Sequence, residues 1–226
     1  MSNLDRLLEV FRDEGLQLPP IGEAMEWARP LETYLTEWEK WNGKINLTSE
    51  TVAEAIIDKH IFDSLQYVRA VENPQSHVMD IGSGAGFPGI PLKVILPNIF
   101  LTLVESQRKR ANFLRNCVRK IRLENVEVLN NRAEELGVSY HDRFDLILFR
   151  GVGEVSNCLQ LAGPFLKIGG RVALKKDPEA NASHQVRKEH YCMELADEIP
   201  LMGRTGIASK LMLFCKSQPR WDEKWG

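Results

Sequence analysis

The sequence predicts an α/β protein: a mostly parallel sheet with helices on both faces, closed by a C-terminal antiparallel hairpin and preceded by a helical appendage. Three observations predict it. Strand-like apolar runs at His77–Gly82, Phe100–Glu105, Val126–Asn130, Phe144–Phe149 and Arg171–Lys175 alternate with helical patterns through short connections. Such alternation implies parallel strands covered on both sides. The last two runs, Cys192–Ile199 and Lys210–Cys215, are joined by a loop bearing Gly203 and Gly206 with no helix between them, so they pair antiparallel. The first third of the chain has helical spacing alone.

In order, Met1–Gly15 reads as an amphipathic helix with Leu4, Leu7, Leu8 and Phe11 on one side, ended by Gly15 and Pro19-Pro20. A second helix spans Gly22–Trp41, where Trp27, Leu31, Tyr34, Leu35, Trp38 and Trp41 recur at helical spacing. Pro30 kinks or breaks it. Gly43 turns the chain, Asn46 forms a turn through its side chain, and Thr48 or Ser49 caps the helix that follows. That helix, Thr51–Val71, turns Ile56, Ile57, Ile61, Leu65 and Val68 inward and holds His60, Asp63 and Ser64 on one face. Beyond the first strand, Phe87, Ile90, Val94 and Ile95 have helical spacing. Further helices cover Gln107–Ile121 and Glu154–Leu166. A Gly169-Gly170 turn opens the fifth strand, and a short helix near Ala180–Glu189 precedes the hairpin. These readings divide the chain into a helical extension (1–75), a sheet domain (76–218) and a tail (219–226).

Composition bounds the function. The 226 residues suffice for one core with an appendage. Net charge is −2 and the pI about 6.2, so nucleic-acid binding would need a local basic face. Cys117, Cys158, Cys192 and Cys215 are far apart, with no C-x-x-C pair, which points to buried reduced thiols and no metal site. No signal peptide or membrane-spanning run is visible, so the expected setting is the cytoplasm, and the expected state is a monomer.

The chemistry gathers at Asp80-x-Gly82-x-Gly84-x-Gly86, a glycine turn between a strand and a helix. Glycines let backbone N–H groups close on a ligand, and the helix start beyond adds unpaired donors. Two cofactors compete. Gly84-x-Gly86-x-x-Gly89 matches a dinucleotide fingerprint, with Glu105 about 20 residues on for a ribose. Asp80 with its glycines also forms the acidic turn of S-adenosylmethionine (SAM) methyltransferases. A carboxylate suits the cationic SAM and would repel a pyrophosphate. Glu105 serves either ribose. The terminal hairpin belongs to the Rossmann-like class I SAM-dependent methyltransferase fold and argues against an NAD-dependent oxidoreductase.

Methyl transfer aligns donor and acceptor and, for a poor nucleophile, removes a proton. After the fourth strand this chain has Leu148-Phe149-Arg150-Gly151-Val152, not the Asn/Asp-Pro-Pro-aromatic of exocyclic amino methylation. Cys117 and Cys158 lie mid-helix on apolar patterns, which removes a nucleophilic cysteine. An acceptor that is already nucleophilic, such as guanine N7, fits a site with no obvious base. Arg150 ends an apolar strand at its ligand-bearing edge, as an ion-pair partner or as a contact to cofactor or base. His60 is either a catalytic base or a structural brace. Arg108, Arg115, Arg119 and Arg122 form one helical stripe, a solvated face or a set of phosphate contacts. Arg110 sits on the apolar side, to snorkel or to reach the site.

Together these stretches resemble the bacterial small-subunit (16S) ribosomal RNA guanine-N7 methyltransferases, the RsmG or GidB family. The resemblance is carried by Trp41-Asn-x-x-x-Asn46-Leu47-Thr48, His60-x-x-Asp63-Ser64, Asp80 to Gly89 with its Phe87-Pro88, Lys109-Arg110-x-x-Phe113-Leu114, Asn131 to Glu135, and Ala173-Leu174-Lys175. It implies SAM lying over Asp80, Gly82, Gly84 and Phe87, ribose on Glu105, adenine against Ala133 and Glu134, and Arg150 beside the cofactor. It implies a guanosine of small-subunit ribosomal RNA as acceptor, in free RNA or in an assembled subunit. The family often has Ser-Arg-Ala where this chain has Phe149-Arg150-Gly151, and Gly where it has Lys176. A non-catalytic RNA- or ribosome-binding protein retaining a SAM pocket is the reading from another class.

Overall fold

The computed structural model describes residues 1–18, 24–151, 153–180, 186–188 and 191–218. Its centre is one sheet of strands β1 (His77–Ile81), β2 (Phe100–Val104), β3 (Val126–Leu129), β4 (Phe144–Phe149), β5 (Leu166–Lys176), β6 (Val186–Lys188), β7 (Tyr191–Met202) and β8 (Ala208–Ser217), in the order β3-β2-β1-β4-β5-β8-β7-β6. The first five are parallel, β8 pairs antiparallel with β5, and β7 pairs antiparallel with β8. The chain runs outward from β1 through β2 to β3, then returns to place β4 on the other side of β1. That reversal opens a crevice at the carboxyl ends of β1 and β4, where open α/β sheets bind ligands.

Strand side chains alternate between two cores, as the period of two requires. On β1 and β4, Val78, Leu146 and Leu148 face one core, while Met79, Ile81, Ile147 and Phe149 face the other. The first core is thick. It receives α1 (Asn3–Phe11), α2 (Ala24–Ile45), the short α3 (Ala53–Ala55) and α4 (Phe62–Leu65) with the π-helical Ile56–Ile61 between them, α5 (Gly89–Ile95) and α6 (Arg108–Ile121). The other core is covered by α7 (Val155–Ala162) and the turn at Ala133–Glu135. Trp38, Ile57 and Leu65, which precede the sheet, pack in the same core as Ile90, Leu103 and Phe113. A reciprocal cap starts α1: Ser2 Oγ accepts from Asp5 N, and the Asp5 carboxylate accepts from Ser2 N.

Local readings were overruled where packing is strong. Pro30 lies inside an unbroken α2, because burial of Trp27, Leu31, Tyr34, Leu35 and Trp38 outweighs a helix penalty of about 3 kcal/mol. Gly43 is also helical, and the chain turns instead at Asn46, whose φ is 50°. Thr48 and Ser49 do not cap the next helix. Its N-cap is Val52, without a side-chain hydrogen bond, and Thr48 Oγ1 accepts from Trp38 Nε1. Asn42 braces this loop, donating to Glu50 O and accepting from Thr48 N. α7 ends at Ala162, short of the expected Leu166, since Pro164 has no N–H with which to continue the helical hydrogen bonds. The following strand begins at Leu166 and runs through Gly169-Gly170, which form an irregularity within it. The helix expected near Ala180–Glu189 is corrected in part: Val186–Lys188 pair with Tyr191–Met193. The free ladder of β7 supplies backbone partners that a short polar segment cannot supply to itself as a helix. Residues 181–185, 189–190 and the tail 219–226 lie outside the described residues.

Lys216 ties the last strand to the body of the fold. Its Nζ is buried and donates to Asp142 Oδ1 at 2.8 Å, Gly163 O at 2.8 Å and Leu166 O at 2.6 Å. Lys216→Met keeps the apolar stem and strands two buried carbonyls. Equilibrium urea unfolding should show a loss of about 2–3 kcal/mol; an unchanged midpoint would mean that the ammonium contributes nothing net.

Candidate active site

The β1–α5 loop is pinned to the end of β2. Gly82 N and Ser83 N both donate to Val104 O, at 2.9 and 3.1 Å. Gly84 N donates to Glu105 Oε2 at 2.9 Å, and Gln107 N donates to Glu105 Oε1 at 2.7 Å. Gly86 has φ 93°, and a Cβ there would lie 2.5 Å from Ile90 Cδ1. A Cβ on Gly89 would lie 2.8 Å from Asp80 Oδ2 and 2.6 Å from Leu103 Cδ2. Fold and loop thus need those two glycines. Gly84 differs: the nearest atom to its Cβ position is 3.8 Å away, so it faces clear ground.

Two buried carboxylates stand beside this loop, on neighbouring strand ends. Asp80 is 1% exposed; its Oδ2 accepts from Gly89 N at 3.0 Å, and its Oδ1 has no hydrogen-bond partner. Burial pushes its carboxyl up to about 7, against the partial relief from Gly89 N–H and the more distant Arg150. Glu105 is 4% exposed and retains a free lone pair on each oxygen after its two backbone bonds. Asn130, at the end of β3, fixes this corner by donating to Glu105 O and Ser106 O at 3.0 and 2.8 Å.

The other lip of the crevice is built from β4 and the helices before the sheet. Tyr67 Oη donates to Phe149 O at 2.8 Å, and Tyr34 Oη donates to Ala85 O at 2.7 Å, so buried phenols hold both the end of β4 and the glycine loop. Arg150 lies with its guanidinium 5.4 Å from the centre of the Phe87 ring, on which His60 stacks at 5.0 Å. Arg150 Nη2 meets His60 Nδ1 at 2.5 Å and lies 4.0 Å from Asp63 Oδ2. His60 Nε2 is 2.9 Å from Glu50 Oε2, a close contact whose alignment falls short of a straight hydrogen bond. Lys175 Nζ reaches Asp63 Oδ2 at 2.5 Å. Burial, reinforced by the Arg150 cation, holds the His60 imidazole below its usual range, so it is neutral at pH 7. Since Arg150 can only donate, Nδ1 accepts and the ring proton sits on Nε2, toward Glu50.

The crevice brings together Asp80, Gly82, Gly84, Phe87, Glu105 and Arg150. Ala133 is buried in the turn after β3, and Glu134 beside it is exposed. His60 and Asp63 share the face toward Arg150. Ser64 does not join them: it is buried and its hydroxyl donates to His60 O. Glu50, Tyr34, Tyr67 and Asn130 were not expected from the sequence, because each acts on a backbone atom or a neighbour distant along the chain. Cys117 and Cys158 are buried with thiols pushed upward by burial, as core residues are. Arg108, Arg115, Arg119 and Arg122 are exposed.

These residues fit SAM. The orphaned Oδ1 of Asp80 suits a cationic partner, the spare lone pairs of Glu105 suit two hydroxyls, and the ground at Gly84 is open. The fold superposes on those of solved SAM-dependent enzymes. A SAM-dependent methyltransferase from Aquifex aeolicus superposes with TM-score 0.52 at 16% identity, over 72% of this chain and 92% of that one. A 1,6-didemethyltoxoflavin-N1-methyltransferase from Burkholderia thailandensis superposes with TM-score 0.55 at 15% identity, over 88% and 93%. Fold and site together define a class I SAM-dependent methyltransferase, and the oxidoreductase reading falls. Within that class the sequence is more specific. Residues 28–205 match the model of rRNA small subunit methyltransferase G, GidB. The ribosomal RNA small subunit methyltransferase G of Mycoplasma capricolum is 39% identical over 177 residues, 77% of this chain and 76% of that one. That of Dictyoglomus thermophilum is 41% identical over 173 residues, 75% and 70%. The chain belongs to the rRNA small subunit methyltransferase G family.

Asp80 gives the site a pH dependence. Its folded pKa is raised, from about 4 in an unfolded chain to about 7. Its stabilising contribution is therefore complete below pH 4 and lost as pH rises through 7. In the cofactor-free protein, Asp80→Asn should flatten this dependence and raise the melting temperature at pH 8. SAM affinity should rise with pH through 7 in the wild type, and Asp80→Asn should weaken it about tenfold at pH 8. Calorimetric titration at pH 5.5 and 8 checks this; equal affinities would overturn the assignment.

Proposed function

We propose that the chain transfers a methyl group from SAM to N7 of a guanosine in small-subunit (16S) ribosomal RNA, on the free RNA or on the assembled subunit. The observation that carries the reading is that, among the described residues, no free general base stands at the acceptor lip. His60 has Nδ1 taken by Arg150 and Nε2 turned to Glu50, and Asp63 is held by Lys175. Guanine N7 is an exposed lone pair in the groove face of the base and needs no deprotonation. The names of the curated relatives supply the ribosomal RNA.

When bound, SAM supplies an electrophilic methyl group on a sulfonium. Asp80 would hold its cationic end and Glu105 its ribose, over Gly82, Gly84 and Phe87, with Ala133 and Glu134 meeting the adenine. Arg150, oriented by His60 and Asp63, retains donors to spare. One of them directed at guanine O6 would fix the base edge and leave N7 facing the donor. His60 is then a positioning residue, not a base. No helix among the described residues is long and apolar enough to cross a membrane; an acceptor in ribosomal RNA is what supports action in the cytoplasm.

Labelled SAM and unmodified small-subunit RNA or subunits should give methylation at a single guanosine, mapped by cleavage at the N7-methylated base. Label at another atom would overturn the acceptor, and binding without transfer would favour a non-catalytic role. Arg150→Ala should lower kcat/KM for RNA about a hundredfold; unchanged rate and cofactor affinity would remove Arg150 from the mechanism.

A further inference from the structure

A groove with several polar side chains at its rim lies beside the acceptor lip and is not used by the chemistry above. It runs between the loop that joins α2 to α3 and the first turn of α6, lined by Asn46, Thr48, Ser49, Glu50, Thr51 and Arg110. Two separate parts of the sequence meet there, the segment Asn42–Thr51 and Arg110 of α6. Arg110 is the unusual member. It is half-buried, its Nε is enclosed without a hydrogen-bond partner, and among the described residues no carboxylate pairs with it. A guanidinium N–H removed from water without an acceptor is costly, so its retention calls for an acceptor that arrives from outside. Thr48 and Asn42 are occupied in bracing the loop, whereas Asn46 and Thr51 are exposed at its rim.

Glu50 belongs to both places. It forms a wall of the groove, and its carboxylate is the group that meets His60 Nε2, with Lys59 Nζ at 3.6 Å. Whatever fills the groove is therefore an immediate neighbour of the acceptor lip. The surrounding charge says what that is. The start of α6 that borders the groove carries three cations in succession, Arg108, Lys109 and Arg110, in a protein of net charge −2. A guanidinium for a phosphate and an amide for a base edge are the donor set that takes a nucleotide.

We propose that this groove is a second nucleotide subsite, which takes the single-stranded RNA residue flanking the methylated guanosine, with its phosphate on Arg110 and its base edge on Asn46. The subsite rests on the RNA methyltransferase reading and extends it to the choice of target. Arg110 acts in RNA capture and takes no part in the methyl transfer itself.

The test uses the full chain and unmodified small-subunit RNA. RNA affinity is read by fluorescence anisotropy and KM by labelled transfer, each over a series of KCl concentrations. Arg110→Gln should weaken RNA binding about tenfold and reduce the salt slope of log K by about 0.7, one single-strand phosphate. SAM affinity and melting temperature should stay at wild-type values, and so should kcat at saturating RNA. Asn46→Gly keeps the positive φ and removes only the amide. It should raise KM severalfold with the slope unchanged, while Arg110→Lys should restore the slope. RNA binding and slope unchanged in Arg110→Gln would overturn the subsite. So would a loss of SAM affinity and melting temperature with the slope intact, which is the mark of a structural brace. A wild type that binds RNA but transfers no methyl group would overturn the catalytic reading alone, since the anisotropy slopes still judge the groove.

Discussion

Two consecutive residues at the end of β2 determine the shape of the site. The Val104 carbonyl accepts from Gly82 and Ser83, and the Glu105 carboxylate accepts from Gly84 and Gln107. Three successive amides of the glycine loop are thereby fixed to a strand that is itself locked in the parallel sheet. The loop needs no ligand to hold its conformation. A preformed cradle spares the ordering cost that a flexible loop would bring to each binding event. The positions of Asp80, Phe87 and the start of α5 all follow from it.

The same corner shows how stability is traded for chemistry. Asp80 is deeply buried with one oxygen unpaired, an arrangement that an apolar residue of similar size would make more stable. Two buried ammonium groups away from the crevice are satisfied instead, Lys216 by three acceptors and Lys93 by two carbonyls. The unsatisfied carboxylate stands beside the crevice, where the cofactor of the proposed reaction would supply the missing partner.

Much of this was legible along the chain. The strands and the glycine turn carry strong local signals, short apolar runs and an acid among closely spaced glycines, and they form close to where the sequence puts them. The same signals named Asp80 and Glu105, and the structure sets both carboxylates beside the loop on neighbouring strand ends. The helical third was read less well. Pro30 and Gly43 are local breakers, but the aromatic face of α2 has enough buried area to override both. Val186–Lys188 follow the free edge of β7 and not their own propensity. Glu50, Tyr34 and Tyr67 left no signal, because their partners lie 10, 51 and 82 residues away and only the folded sheet brings them together.

The π-helical stretch at Ile56–Ile61 makes room for one residue more than a regular helix would hold. Each residue turns a helix by about 100°. The extra residue lets Ile56, Ile57 and Ile61 stay in the core while His60 and Asp63 swing round to meet Arg150. Removing one residue from a regular helix rotates its two ends against each other by about 100°, which would carry these faces apart. The bulge therefore works as a phase adjuster between two demands on a single rod, and a length change here should be tolerated far less than one in the neighbouring loops.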